Sequence, residues 1–587
     1  MTTEDEFDPD DILYEINRKL ANVSLTQLNF NSEHDIVQKD TLPEIKYYLC
    51  NSRPNERECF QSVQMLRKYL TQASSSNACV DDILNLDVLP RLRELLVLDD
   101  QQGIQFEAAW IVTNIAAGSS KQTEQLVNAD FIAGLLQCLH SQKTASNVKT
   151  QAAWALSNFA GESPQLRQLL CQNDAIAAVA QVLIDTSAKA REDARDCGCY
   201  GEITSIFDDE LLTDIKALTW AISNMSRGGF YTADYWPKYV LAFEALSHCI
   251  LFDHVDLWID GGWGLSRILH NMHGVTPFYE NFTFSSQLPA RLAELLHEDG
   301  RGVTIPILRA LINITSLPDM YCMRLIDKQL VRRLIPFMSP ETETAVRRDT
   351  YLVVANLVAC NEDFVERTML VEARLIHYAR DHICVPHHTY HAGEWTPSSN
   401  NKLKSGTMVE EWKITTDALW IICNFLTAGS EENISTLLDR FRDLPRALMK
   451  LVQYDPHAMP HTVATKVVDA MIQLVGKVGE QYGNEWFVDT WRSLDLENKL
   501  RALAEAHPTC KPLLESCAEM TALLVSKNNK TAAAATTTPL DASGGMAAAF
   551  GLNVPRKNVS ASKRRVLHGF EDGDVRLIEN AVGKLSI

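Results

Sequence analysis

One phrase recurs along this chain and limits its fold more than any other feature. Trp110-Ile-Val-Thr-Asn114, Trp154-Ala-Leu-Ser-Asn158, Trp220-Ala-Ile-Ser-Asn224 and Trp420-Ile-Ile-Cys-Asn424 all read W-x-x-x-N. Weaker copies stand between them: Trp263-Gly-Leu-Ser-Arg267, Arg309-Ala-Leu-Ile-Asn313 and Leu352-Val-Val-Ala-Asn356. The last positions fall at 114, 158, 224, 267, 313, 356 and 424, so successive differences are 44, 66, 43, 46, 43 and 68. Four of these match the period of ~40–47 residues found in two- and three-helix repeats. The two long ones are one period plus an insertion, near 185–212 and 380–412.

The text between phrases is helical. Phe131–Leu139 and Asp174–Ile184 carry apolar residues at i, i+3, i+4 spacing. Gly161, Gly228 and Gly429 follow W-x-x-x-N phrases, where a helix C-terminus favours a residue tolerant of positive φ. Each unit thus has an apolar face that only a stacked neighbour can bury. A degenerate unit is expected before the first phrase, over Leu42–Leu96. Two more are expected after the last, over Leu444–Val478 and Trp486–Leu524. The reading is three segments: an acidic, mobile 1–40, a repeat array over 41–525, and a low-complexity linker and tail over 526–587. The tail carries the basic cluster Lys563, Arg564 and Arg565.

Composition narrows the function. At 587 residues the chain exceeds a single core, and its net charge of -20 opposes nucleic-acid binding while favouring a cationic partner. No apolar run reaches the ~18–20 residues of a membrane span. The fourteen cysteines lie scattered in apolar helical text, as reduced thiols of the cytoplasm or nucleus do. Walker, nucleophile-elbow and zincin motifs are all missing, so the reading is non-enzymatic, with no cofactor and no metal. His382, Cys384, His387, His388 and His391 offer zinc-ligand types, but their spacing and Pro386 favour a solvated loop. Cys197 and Cys199 read as loop thiols rather than a redox pair.

Trp and Asn four apart share one helix face. Stacked, they form two ladders along a groove. Indole faces can hold the stem and charge of a Lys or Arg at ~0.5–2 kcal/mol each. Amides can pair with both N–H and C=O of an extended backbone. Burying Asn repeatedly is costly without partners, which argues for a peptide-holding row over plain packing.

From Gln105-Phe-Glu-Ala-Ala-Trp to Gly118, and on through Gln151–Pro164 and Leu218–Arg227, the chain resembles the importin-α family of armadillo-repeat adaptors. The resemblance covers residues 40–525 and is strongest over 100–230. It implies an all-α, right-handed superhelical solenoid of about ten armadillo repeats that binds basic nuclear-localisation peptides. It places a major site at Trp110, Asn114, Gly118, Thr123, Gln151, Trp154, Asn158, Glu162, Trp220, Asn224 and Arg227, with Glu162 where the family has Asp. It places a minor site at Asp260, Trp263, Arg309, Asn313, Asn356, Asp417, Trp420 and Asn424. That second site is expected to be weakened, because Leu352 replaces an indole and Arg267 replaces an amide. The family begins with a basic segment that binds importin-β and folds back into the groove. Residues 1–40 hold only Arg18, Lys19 and Lys39, so that segment is expected to be missing and engagement of importin-β is open. The basic tail at Lys563, Arg564 and Arg565 is then a candidate autoinhibitor. The rival reading is an armadillo scaffold that assembles a specific complex without acting in import.

Overall fold

The computed structural model describes residues 37–72, 77–188, 209–228, 235–271, 287–296, 302–317, 330–359, 375–386, 388–391, 394–397, 408–478 and 485–533, together with 192, 321, 322 and 325. The chain divides into two compact units at Gly264 and Leu265.

In the first unit, helices α1 (Leu42–Asn51) and α2 (Arg57–Gln72) precede three-helix repeats. These are α3 (Asn77–Leu84), α4 (Leu89–Leu96) and α5 (Gln102–Ala116); then α6 (Ser120–Asn128), α7 (Phe131–His140) and α8 (Ser146–Glu162). Next come α9 (Pro164–Gln172), α10 (Ala175–Thr186) and α11 (Asp209–Met225), then α12 (Trp236–Cys249) and the start of α13 (Val255–Asn271). The third helices stack in order, α2 on α5, α5 on α8 and α8 on α11.

The second unit follows the same plan. It holds α14 (Leu288–Glu294), α15 (Thr304–Thr315), α16 (Leu330–Leu334), α17 (Thr344–Val358), α18 (Leu375–Asp381) and α19 (Met408–Ala428). Then come α20 (Glu431–Arg440), α21 (Leu444–Val452) and α22 (His461–Val478), and α23 (Glu485–Ser493), α24 (Leu496–Ala506) and α25 (Lys511–Ala533). Here α15, α17, α19, α22 and α25 stack in sequence. The protein is therefore all-α in its repeats, with helices packed as sequential armadillo-like units.

The cores are aliphatic layers between these helices. Along α5, Ile104, Ala108, Ala109, Ile111, Val112 and Ile115 are buried, while Trp110 and Asn114 on the remaining face are only half-buried. Burying each large aliphatic side chain contributes about 1.5–3 kcal/mol, so a repeat is stable only against its neighbours.

The turn chemistry differs from expectation. Only Gly228 of the three expected glycines has positive φ, at 80°, and Gly161 lies inside α8. Left-handed geometry is instead supplied between the first and second helices of four repeats, by Asp87, Asp130, Asp174 and Asp495. Asp tolerates that region because its short side chain bonds locally. Helix α25 also runs on to Ala533, past Ser526, where the low-complexity text was expected to begin.

The 380–412 segment is not simply a solvated loop. Within it, β1 (His388–His391) and β2 (Glu394–Pro397) pair antiparallel, with Tyr390 opposite Trp395. At its start, Cys384 is buried and His382 is half-buried. Tyr351 Oη lies 2.6 Å from His382 Nδ1, and burial lowers the His382 pKa to about 4, holding the ring neutral. Residues 1–36, Cys197, Cys199, His387 and the tail cluster Lys563, Arg564 and Arg565 lie outside the described residues.

Candidate peptide-binding ladder

The regular spacing of the phrases becomes a series of side-chain hydrogen bonds. Asn158 Nδ2 donates to Thr113 O at 3.0 Å, and Asn224 Nδ2 to Ser157 Oγ at 3.1 Å. In the second unit, Asn313 donates to Ser266 O (2.9 Å), Asn356 to Ile312 O (3.2 Å) and Asn424 to Ala355 O (2.9 Å). Each of these five acceptors belongs to the residue just before the last position of the preceding phrase; Asn356 also donates to Thr315 Oγ1 at 3.3 Å. One arm of each amide thus locks neighbouring repeats in register. The carbonyl and second N–H of such an amide remain for a ligand where exposure allows.

Exposure separates the first two amides from the rest. Asn114 and Asn158 are half-buried, whereas Asn224, Asn313, Asn356 and Asn424 are buried, Asn356 completely. Asn114 Nδ2 is also shielded and has no hydrogen-bond partner, as is the Asn313 carbonyl oxygen. An orphaned donor beside a half-open face is the arrangement an incoming backbone carbonyl would satisfy.

The indoles are not empty shelves. Trp154 and Trp220 approach to 5.5 Å between ring centroids, tilted 56°, so their rings touch and no lysine stem lies between them in this arrangement. The Arg67 guanidinium sits 4.6 Å from the Trp110 ring while its Nε donates to Glu107 at 2.7 Å. Lys466 Nζ lies 3.7 Å over Trp420. Trp263 is buried in α13, with Asp260 and Arg267 half-buried beside it on the same helix.

Around Gly118 the expected lysine pocket is tightly built. Ser119 N donates to Gln122 Oε1 at 2.8 Å, and a Cβ on Gly118 would meet that oxygen at 2.2 Å, so a larger residue there would have to push the Gln122 side chain aside. Thr123 is buried, its hydroxyl donating to Ala116 O at 3.4 Å. Gln151 is buried too and donates to Thr113 Oγ1 at 2.7 Å. Glu162 accepts from Ser120 Oγ, and Gln122 Nε2 donates to Asp81 Oδ1 at 2.7 Å, which brings two carboxylates to this end of the repeats. Arg227 is half-buried just past α11.

A second charge row emerges that the W-x-x-x-N phrases do not announce. Glu107, Asp349 and Asp417 each stand just under one turn before a first phrase position, namely Trp110, Leu352 and Trp420. Glu107 pairs with Arg67, and Asp349 with Arg309 Nε at 3.5 Å; each cation lies on the preceding stacked helix. For Asp417 the matching position on the preceding helix is Leu352, which brings no charge. Its Oδ2 is buried without a hydrogen-bond partner. Burial pushes its pKa up to about 7, with Asp349 adding to the rise and Arg348 and Lys413 opposing it. The shared offset of Arg67 and Arg309 from their acids was visible in the sequence. Lys466 had no such signal, because its contact depends on how α22 lies against α19.

Among the described residues no helix is long and apolar enough to cross a membrane, and no three His, Cys, Asp or Glu side chains converge as a metal site. Burial pushes the Cys138, Cys384, Cys423 and Cys517 thiols up to about 12, where they behave as packing groups.

Comparison with known proteins agrees with the repeat fold. Residues 76–117 and 119–161 each match the armadillo/beta-catenin-like repeat. Importin subunit alpha-3 of Arabidopsis thaliana is 25% identical over 312 residues, 53% of this chain and 52% of that protein. Importin subunit alpha-1a of Oryza sativa subsp. japonica is 25% identical over 288 residues, 49% of each. The chain thus spans about half the length of the curated relatives it matches. An engineered protein of known structure superposes with a TM-score of 0.59 at 16% identity, covering 83% of this chain and 99% of that one, which shows the shared fold.

Proposed function

We propose that this armadillo-repeat chain, a distant relative of importin α subunits, is a non-enzymatic adaptor. Its ligands would be extended, basic peptide segments of the nuclear-localisation type, held along α5, α8 and α11. The observation that carries the reading is the amide row. Asn114 and Asn158 stand half-open one repeat apart, and the Asn114 donor has no partner within the protein. Glu162 and Asp81 near Gly118, and a net charge of -20, supply the complementary field. In this reading Trp154 and Trp220 swing apart to admit a lysine stem. The second-unit site is the weaker one, since Leu352 leaves its row short of an indole. Passage between cytoplasm and nucleus follows from the same role.

The test is Trp154→Ala with Asn158→Ala in the full chain, titrated with a lysine-rich peptide by calorimetry. Loss of a few kcal/mol, the scale of interface hot spots, is expected with the fold intact by circular dichroism. Unchanged affinity in the folded double variant refutes the reading.

A second reading has its own support. The indole faces are already covered, by Arg67 at Trp110, by Trp154 and Trp220 on each other, and by Lys466 at Trp420. That suits a scaffold that assembles one specific complex without acting in import. Pull-downs with importin-β and with a simple basic peptide separate the two. The basic tail at Lys563, Arg564 and Arg565 is proposed as a competitor for the same ladder.

A further inference from the structure

Two of the chain's own cations cover indole faces, and they differ in how firmly they are held. Arg67 is 2% exposed, and both its Nε and its Nη2 bond Glu107, at 2.7 and 3.3 Å. Removing it would strand a buried carboxylate, so its place over Trp110 is fixed.

Lys466 is different. Its Nζ lies 3.7 Å over the Trp420 ring and 2.7 Å from Asp469 Oδ2. Ser516 Oγ donates to the other oxygen of that carboxylate at 2.7 Å and so fixes its direction. Lys466 and Asp469 both sit on α22, and their side chains are 15% and 28% exposed. An ammonium between an indole face and an oriented carboxylate is how a ligand lysine would be recognised at this rung. The chain fills it with its own lysine, on a flexible four-carbon stem that can swing out to water.

We propose that Lys466 is a built-in occupant of the Trp420 face, which an incoming cationic side chain must displace. Lys466 thereby lowers the affinity of this rung for basic peptides and favours ligands whose cation engages both Trp420 and Asp469. This rests on the reading that basic peptides bind the ladder.

The test uses the full chain and a fluorescein-labelled hexalysine peptide, followed by anisotropy at low ionic strength. Lys466→Ala and Lys466→Gln should tighten binding about threefold to tenfold, the range of a displaced cation–π contact. In a Trp420→Leu background, which keeps apolar packing at the rung, the same changes should have no effect. Unchanged or weaker binding by Lys466→Ala in the wild-type background overturns the inference. A second readout follows acetylation of Lys466 Nζ by a water-soluble active ester, measured by mass spectrometry. Saturating hexalysine should speed labelling of Lys466 several-fold. If hexalysine binds, and depends on Trp154 and Asn158, yet labelling does not change, Lys466 is only structural and the adaptor reading stands. If hexalysine binds no variant, both the adaptor reading and this inference fail.

Discussion

Asp417→Asn should make the second unit more stable at neutral and alkaline pH than at acid pH, relative to the native protein. The native carboxyl has a pKa of about 7 because it is buried with one oxygen unpartnered and no cation at the Leu352 position. In the unfolded chain an Asp titrates at ~3.9. The folded pKa is raised, so the folded state holds a proton that the unfolded state releases between pH ~4 and ~7. Stability therefore falls as pH rises through that window, by ~1.4 kcal/mol per pH unit, and is level above it. The penalty works out to about 1.5 kcal/mol at pH 5 and about 4 kcal/mol at pH 8, as upper values. Asparagine has no such titration. Its amide is left imperfectly paired at about 1–3 kcal/mol, but equally at every pH. The informative quantity is thus the difference between variant and native protein against pH. Urea unfolding followed by circular dichroism at pH 5 and pH 8 should show the variant gaining about 2.5 kcal/mol relative to native between the two. A difference that stays the same at both pH values would refute the argument and place the Asp417 pKa in the ordinary carboxylate range.

Three further outcomes follow from the same geometry. Arg67→Ala strands Glu107 in a buried setting and should destabilise the first unit by about 3–5 kcal/mol in urea unfolding; Arg67→Ala with Glu107→Ala should recover much of that loss. Asn356→Ala removes bonds to Ile312 O and Thr315 Oγ1 and should cost about 1–3 kcal/mol, with hydrogen exchange quickening at the junction of α15 and α17. Tyr351→Phe removes the hydroxyl against His382 and should destabilise the start of the 380–412 segment by about 1–2 kcal/mol, read as faster proteolysis there.

What the sequence determined on its own was whatever depends on periodicity. The W-x-x-x-N phrase at one-period spacing made the repeats legible, because a helix face repeats every few residues and each repeat buries the same face of its neighbour. The same logic placed Trp110, Asn114, Trp154 and Asn158 on one row, and made Leu352 recognisable as a gap in it. The tertiary structure alone decided what each row member touches. The Asn side chains serve first as locks between repeats, because their acceptors lie on the helix of the preceding phrase. Trp154 meets Trp220 across the whole of the first insertion, a contact that no local pattern specifies. The Asp turns, rather than the expected glycines, carry most of the left-handed backbone, since either residue can adopt it and packing selects the place. Lys466 reaches Trp420, and Asp417 goes without the cation that Asp349 has, for one physical reason: charge contacts depend on distances of a few ångströms between helices, and those are set only when the helices pack.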